Sequence, residues 1–213
     1  MKDRIELIPL IELPTFKDEG SKKTPNGSSL RNTAEWDKYQ MNEIKKNYNV
    51  EIEPVSPGIY QYEILKLSKS ILRKAIELHI SDVEIKRSCS FFGGYGLKIN
   101  SELKLYPQCC GLFEEIRDWK KILNSNFKSF YFKECHPSPK FDLVEEDLII
   151  SCKSEDELFI PKTDIEIKVN HKSIKSAINS LIKQLTSLST IINEIGLDFN
   201  EKDASKYLIW GED

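Results

Sequence analysis

With 213 residues, 39% of them hydrophobic, the chain is long enough to bury one sizeable core, and the expectation is a single α+β domain over residues 1–213. A formal net charge of −3 gives no basic stripe for nucleic acid, and no apolar run approaches the roughly 18 residues of a membrane span, so neither is expected as a partner. Five cysteines are an odd set in a chain of this size, and Glu6 and Pro9 interrupt the first apolar run, so the reading is reduced thiols, no signal peptide and a cytoplasmic setting.

Arg4 to Leu13 reads as a strand, and Pro9 within it, which has no N–H to donate to a ladder, places that strand at a sheet edge. Residues 14–31 are rich in lysine, acidic residues, glycine and proline, the composition of a mobile loop. Asn32 or Thr33 caps a helix to about Asn47. Val55-Ser56-Pro57-Gly58 then turns the chain into a strand over Ile59 to Leu67. Ser68 caps the next helix, in which Ile71, Leu72, Ala75, Ile76 and His79 share one face at the 3.6-residue period.

Ser90 to Leu123 carries a central hairpin. A three-residue turn at Asn100-Ser101-Glu102 sets Ile99 opposite Leu103 and Leu97 opposite Leu105, so that 91–99 and 103–106 pair through matched apolar residues. A two-residue turn would set Leu97 opposite Lys104 and Ile99 opposite Glu102, mixing apolar and charged residues on one face, and the three-residue turn is therefore expected. Gly93, Gly94 and Gly96 lie inside the first strand and read as a barrel-like curl or close packing against another backbone. They do not form a phosphate loop, because the spacing is not GxGxxG and no Gly-Lys-Ser/Thr follows. Leu112, Phe113, Ile116, Trp119 and Leu123 come next at helical spacing, predicting a helix over 112–123.

Phe127 to Phe132, Leu148 to Cys152, Leu158 to Ile160 and Ile165 to Val169 read as further strands. From Asn170 onward, Ile174, Ile178, Leu181, Leu185, Leu188, Ile192 and Ile195 repeat in steps of four and three, with Gly196 as the stop, giving a helix of about 23 residues, or roughly 35 Å. This strict seam either covers a mainly antiparallel sheet or supplies a homodimer through 174–195.

Three groups of residues invite a chemical reading. Cys109, Cys110, Cys135 and His136 together offer three thiols and an imidazole, a donor set suited to tetrahedral zinc, or to a cysteine nucleophile with His136 as base and Gln108 as oxyanion donor. The spacing matches no zinc motif and no cysteine-protease signature, and neighbouring side chains normally leave the backbone in different directions. The four are therefore expected to stand apart, with no metal, no cofactor and no Cys–His pair within hydrogen-bond reach. His79 and His171 have no motif around them. Asp142, Glu145, Glu146, Asp147, Glu155, Asp156 and Glu157 form the one strong charge bias, facing a single Lys153, and read as solvated loop surface or as a docking face for a basic partner.

The segment Phe92-Gly93-Gly94-Tyr95-Gly96-Leu97-Lys98-Ile99-Asn100, then Leu105-Tyr106-Pro107-Gln108-Cys109-Cys110-Gly111 and Trp119, resembles a pattern in small bacterial proteins, some of which resemble immunity proteins that bind and silence a co-encoded toxin. It covers about thirty residues. The resemblance implies a protein-binding protein without chemistry of its own, with another protein, such as a basic toxin, as partner. That non-catalytic reading is the one favoured by the sequence, and an enzyme or zinc protein built on Cys109, Cys110, Cys135 and His136 is the alternative.

Overall fold

The computed structural model describes residues 3–16 and 24–211, and its architecture is α+β as the sequence predicts. Eight strands form two antiparallel sheets rather than one. The first contains β1 (Ile5–Glu12), β2 (Gln61–Glu63), β3 (Gly93–Ile99) and β4 (Glu102–Leu105) in the order β2-β1-β3-β4. The second contains β5 (Phe130–Tyr131), β6 (Lys140–Val144), β7 (Asp147–Ser151) and β8 (Glu166–Asn170) in sequence order. The helices are α1 (Thr33–Tyr48), α2 (Lys69–Ile80), α3 (Ile116–Lys121), α4 (His171–Gly196) and α5 (Ala204–Leu208). One buried cluster takes in Tyr95 and Leu97 of the first sheet, Phe141 and Ile150 of the second, and the α4 seam. No helix among the described residues is long and apolar enough to cross a membrane.

The α4 seam behaves as its heptad predicts. Asn170 caps the helix by accepting a hydrogen bond from the Ser173 N–H at 3.2 Å, an interaction worth about 1 kcal/mol. Ile174, Ile178, Leu181, Leu185, Leu188, Ile192 and Ile195 are all buried in this chain's own core, where α4 packs on β1, β7 and β8. The residues that would zip a homodimer are therefore already occupied. Gly196 does not end the helix through a left-handed turn. Its backbone stays helical and runs into a 3-10 turn over Leu197–Phe199; glycine is required there because a Cβ would collide with the Glu201 carbonyl and Ala204.

β1 is an interior strand, not an edge, because β3 pairs along it from Ile5 to Ile11 while β2 covers only Leu10 to Glu12. Pro9 is tolerated for a local reason. The Glu12 N–H donates toward β3, to the Phe92 carbonyl at 2.9 Å, so by alternation the nitrogen of Pro9 faces the β2 side, where no strand reaches. Glycine in β3 serves close backbone packing, one of the two readings given above. Gly93 has φ +128°, and a Cβ on it would run into the Leu10 carbonyl of β1.

The hairpin forms, but with a two-residue turn. Asn100 and Ser101 both take positive φ, 52° and 71°, and Ile99 pairs with Glu102. A bulge between Leu97 and Lys98 then restores the Leu97–Leu105 pair and leaves Lys98 opposite Leu103. Choosing the turn by side-chain matching missed this route, in which one irregularity corrects the register after a tighter turn. The turn also spares Glu102 the left-handed conformation that a three-residue loop would have demanded.

Other elements are shorter or displaced. The Ile59–Leu67 segment gives only β2 followed by a 3-10 turn, and 112–123 divides into a 3-10 turn over Phe113–Glu115 and α3. Residues 158–160 are not a strand. The expected loop at 14–31 lies partly outside the described residues; 24–31 is irregular, with Gly27 accepting from the Trp36 indole at 2.9 Å. Trp119 of α3 is fully buried edge-on against Phe132 and Phe141, which ties α3 to the second sheet.

Candidate functional site

β4 leads into Pro107-Gln108-Cys109-Cys110-Gly111, and this loop is fastened on two sides. Gly111 donates to the Gln108 carbonyl at 3.1 Å, closing a turn, and accepts from Gly93 of β3 at 2.9 Å. On its other side the His136 N–H donates to the Cys109 carbonyl at 3.0 Å, an isolated antiparallel bridge between chain segments. Cys110 has φ +60°, and this left-handed step breaks the alternation that would send neighbouring side chains to opposite sides. The two sulfurs consequently lie 3.6 Å apart.

The expectation that these groups stand apart is overturned. Cys109 Sγ, Cys110 Sγ and a ring nitrogen of His136 lie within 4.8 Å of one another, all three residues being exposed. The His136 ring and the Cys110 thiol are thus neighbours, forming a Cys–His pair. A second such pair is Cys89 and His79, whose Sγ and Nε2 are 4.0 Å apart. There Nε2 is occupied by the Cys89 carbonyl at 2.9 Å, and burial holds the imidazole below its usual range, so the pair is a packing feature. His171 makes a similar capping contact from Nε2 to the Ile122 carbonyl.

Glu157 completes the site. Its Oε2 is 2.8 Å from His136 Nδ1, and this bond, followed by the nearness of Cys110, raises the pKa of the imidazole. The carboxylate is placed there by Gln108. The Gln108 side chain accepts from the Ile160 N–H at 2.8 Å and donates to the Ile160 and Tyr106 carbonyls, pinning the 157–160 segment to the cysteine loop. With both ends of its amide committed, Gln108 is a structural clamp and not the oxyanion donor considered from the sequence. For Cys109, the hydrogen bond to Cys110 and then partial burial push the thiol up.

Cys135 is separate. It is buried, and its thiol is pushed up, first by burial and then by the nearby Glu115 carboxylate. Glu115 lies beneath the cysteine loop, where a Cβ on Gly111 would come within 3.3 Å of its Oε1. That oxygen is buried without a hydrogen-bond partner among the described residues, and burial, with Asp118 adding to it, raises the carboxyl pKa to about 8.

Cys109, His136 and Glu157 line a cleft of about 820 Å³ whose far wall includes Glu12, Gln61 and Tyr60. Neither lysine nor arginine is among its described lining residues. The donor set suits a soft divalent cation: two thiolates on one tetrahedral zinc, at about 2.3 Å each, lie about 3.8 Å apart, close to the separation found. Glu157 occupies Nδ1 as an outer carboxylate commonly does on a metal-ligating histidine, fixing the ring and leaving the other nitrogen to ligate. The same residues also place a carboxylate, an imidazole and a thiol in series, the layout of an activated nucleophile.

The acidic residues are dispersed. Asp142 lies in β6, bonded to Ser129 and 2.9 Å from Lys140, and Asp147 pairs with Lys168 at 3.0 Å. Glu145 and Glu146 form the exposed turn of the β6–β7 hairpin, and Glu155 and Asp156 lie on an exposed loop. Of the seven, Glu157 alone joins the thiol site, a role that sequence reasoning missed because its partner His136 stands 21 residues earlier without any spacing signature. No family model, curated protein or solved structure matches the chain.

Proposed function

We propose that this protein binds a soft divalent cation of the zinc class through Cys109, Cys110 and His136, with Glu157 orienting the imidazole and the cleft giving access to a free coordination position. The observation that carries this reading is the convergence of two sulfurs and a ring nitrogen within 4.8 Å on loops that meet nowhere in sequence. Three protein ligands and one open position are the usual arrangement of a zinc site that acts on a ligand, whereas purely structural sites are closed by four. A reduced cytoplasmic setting suits it, since the metal needs thiolates. Titrating reduced protein with zinc under anaerobic conditions should show one tight equivalent accompanied by proton release; a protein that stays metal-free at micromolar zinc would refute the reading.

Protein binding is the second reading, favoured by the apolar rim of the same cleft. Leu158 and Ile160 line the cleft and are 84% and 50% exposed, a pair that a protein partner would cover, and the immunity-type role belongs here. Exposed apolar residues grouped beside a cleft mark an interaction surface more often than scattered ones do. Replacing Leu158 and Ile160 with aspartate should abolish capture of any toxin-like protein found encoded beside this chain's gene. Undiminished capture, or no such neighbour that binds, removes this reading.

A further inference from the structure

The vicinal thiols have a second use that does not depend on metal. We propose that Cys109 and Cys110 form a two-electron dithiol–disulfide couple that reduces small disulfides of neutral or positive charge. Both residues are exposed, and their sulfurs, 3.6 Å apart, are near enough to close to the bonding distance of about 2.0 Å at the cost of backbone strain. The left-handed φ of Cys110 already holds both sulfurs on one side of the backbone, which is the step that adjacent cysteines in extended chain lack. Charge selects the substrate. Glu12 and Glu157 line the cleft onto which Cys109 opens, and of the described lining residues His136 alone can carry positive charge against these two carboxylates, so a cationic disulfide is favoured over an anionic one.

The exchange balances without another reagent. The Cys110 thiol gives up its proton to the neighbouring His136, and its sulfur attacks one sulfur of the small disulfide, breaking that S–S bond and expelling a small thiolate. The Cys109 sulfur, losing its own proton to solvent or to the departing thiolate, then attacks Cys110 Sγ of the mixed disulfide and expels the second small thiolate. Two protein thiols lose two electrons and two protons, and the disulfide becomes two thiols. The product ring is strained, because neighbouring Cα atoms lie about 3.8 Å apart and unstrained disulfides span about 4.4–6.8 Å. It is therefore readily reduced again, so closure is driven by an excess of the small disulfide and the bond is labile rather than structural.

Cystamine is the probe. Reduced metal-free protein treated with it should lose two hydrogen atoms by intact mass, with the new link mapped to Cys109–Cys110, and should recover its mass in a mild monothiol. Cys109→Ser and Cys110→Ser should each stall as a cystamine mixed disulfide. A wild-type protein that accumulates the adduct without closing the ring overturns the proposal, as does closure through any other cysteine pair. A rate with oxidised glutathione equal to that with cystamine at low salt overturns the charge assignment. The metal reading is judged separately by zinc titration of both forms. Ring closure in a protein that binds no zinc when reduced leaves this inference standing and removes the metal site; zinc binding without ring closure does the reverse.

Discussion

Replacing Glu115 with glutamine should stabilise the fold at pH 8 while leaving it nearly unchanged near pH 4. The carboxyl is 4% exposed, and burial raises its folded-state pKa from 4.5 to about 8. Below the unfolded value both states carry the proton, so the group is neutral in each and costs nothing. As pH rises from there toward 8, the unfolded chain releases a proton that the folded chain keeps. Unfolding is then favoured by up to about 1.4 kcal/mol for each pH unit in that window, levelling off above the folded pKa. Glutamine keeps the shape without the titration, so the advantage of Glu115→Gln should grow across the window to several kcal/mol. Urea unfolding at several pH values measures it directly. Parallel stability curves for the two proteins, or a variant weaker than wild type at pH 8, would show that the carboxyl is not the buried acid described.

The second large effect belongs to the metal ligands. Removing any one of Cys109, Cys110 or His136, as serine or alanine, should weaken zinc binding by more than about a hundredfold, because outer-shell losses alone cost about 10- to 100-fold. Glu157→Gln should fall within that smaller range, since it frees the ring to rotate without removing a ligand. Cys135→Ser should leave affinity unchanged, its buried thiol lying outside the Cys109–Cys110–His136 group. Affinity in the wild type should fall as pH drops, because protons compete for both sulfurs and for an imidazole whose proton affinity Glu157 has raised. Competition titrations against a chromophoric chelator rank all five proteins; a Cys135→Ser protein as impaired as Cys110→Ser would place the metal elsewhere.

What could be read from the sequence is what depends on local periodicity. The α4 seam, its Asn170 cap and the Ser68 cap, which accepts from Ile71, follow from neighbours within four residues. The hairpin was legible in place but not in turn length, since two backbones can restore the same Leu97–Leu105 pair and only one needs Glu102 left-handed. Pro9 misled for a related reason: its missing N–H does demand an unpaired side, but that side can be the short reach of β2 rather than a sheet edge. The thiol site was hidden more deeply. It depends on a positive φ at Cys110, a backbone bridge from Cys109 to His136 and a glutamine clamp reaching 52 residues to Ile160, none of which leaves a spacing signature. The same acidic run that read as a docking face contained Glu157, whose role appears only once His136 stands beside it.

The interior position of β1 sets a timetable for the growing chain. Ile5, Leu7, Ile8, Leu10 and Ile11 leave the ribosome among the first residues of this sequence, yet their ladder partner β3 begins at Gly93 and the helix that packs on them extends to Gly196. At about 5–20 residues per second, roughly ten to forty seconds separate the synthesis of Glu12 from that of Gly196. For about the first half of that interval the apolar, β-prone segment lacks its β3 partner, and to the end of it the cover of α4. Slower translation lengthens the exposure and lower temperature weakens the attraction between such segments, so adding chaperone during elongation should raise soluble yield, and co-expression trials would measure it.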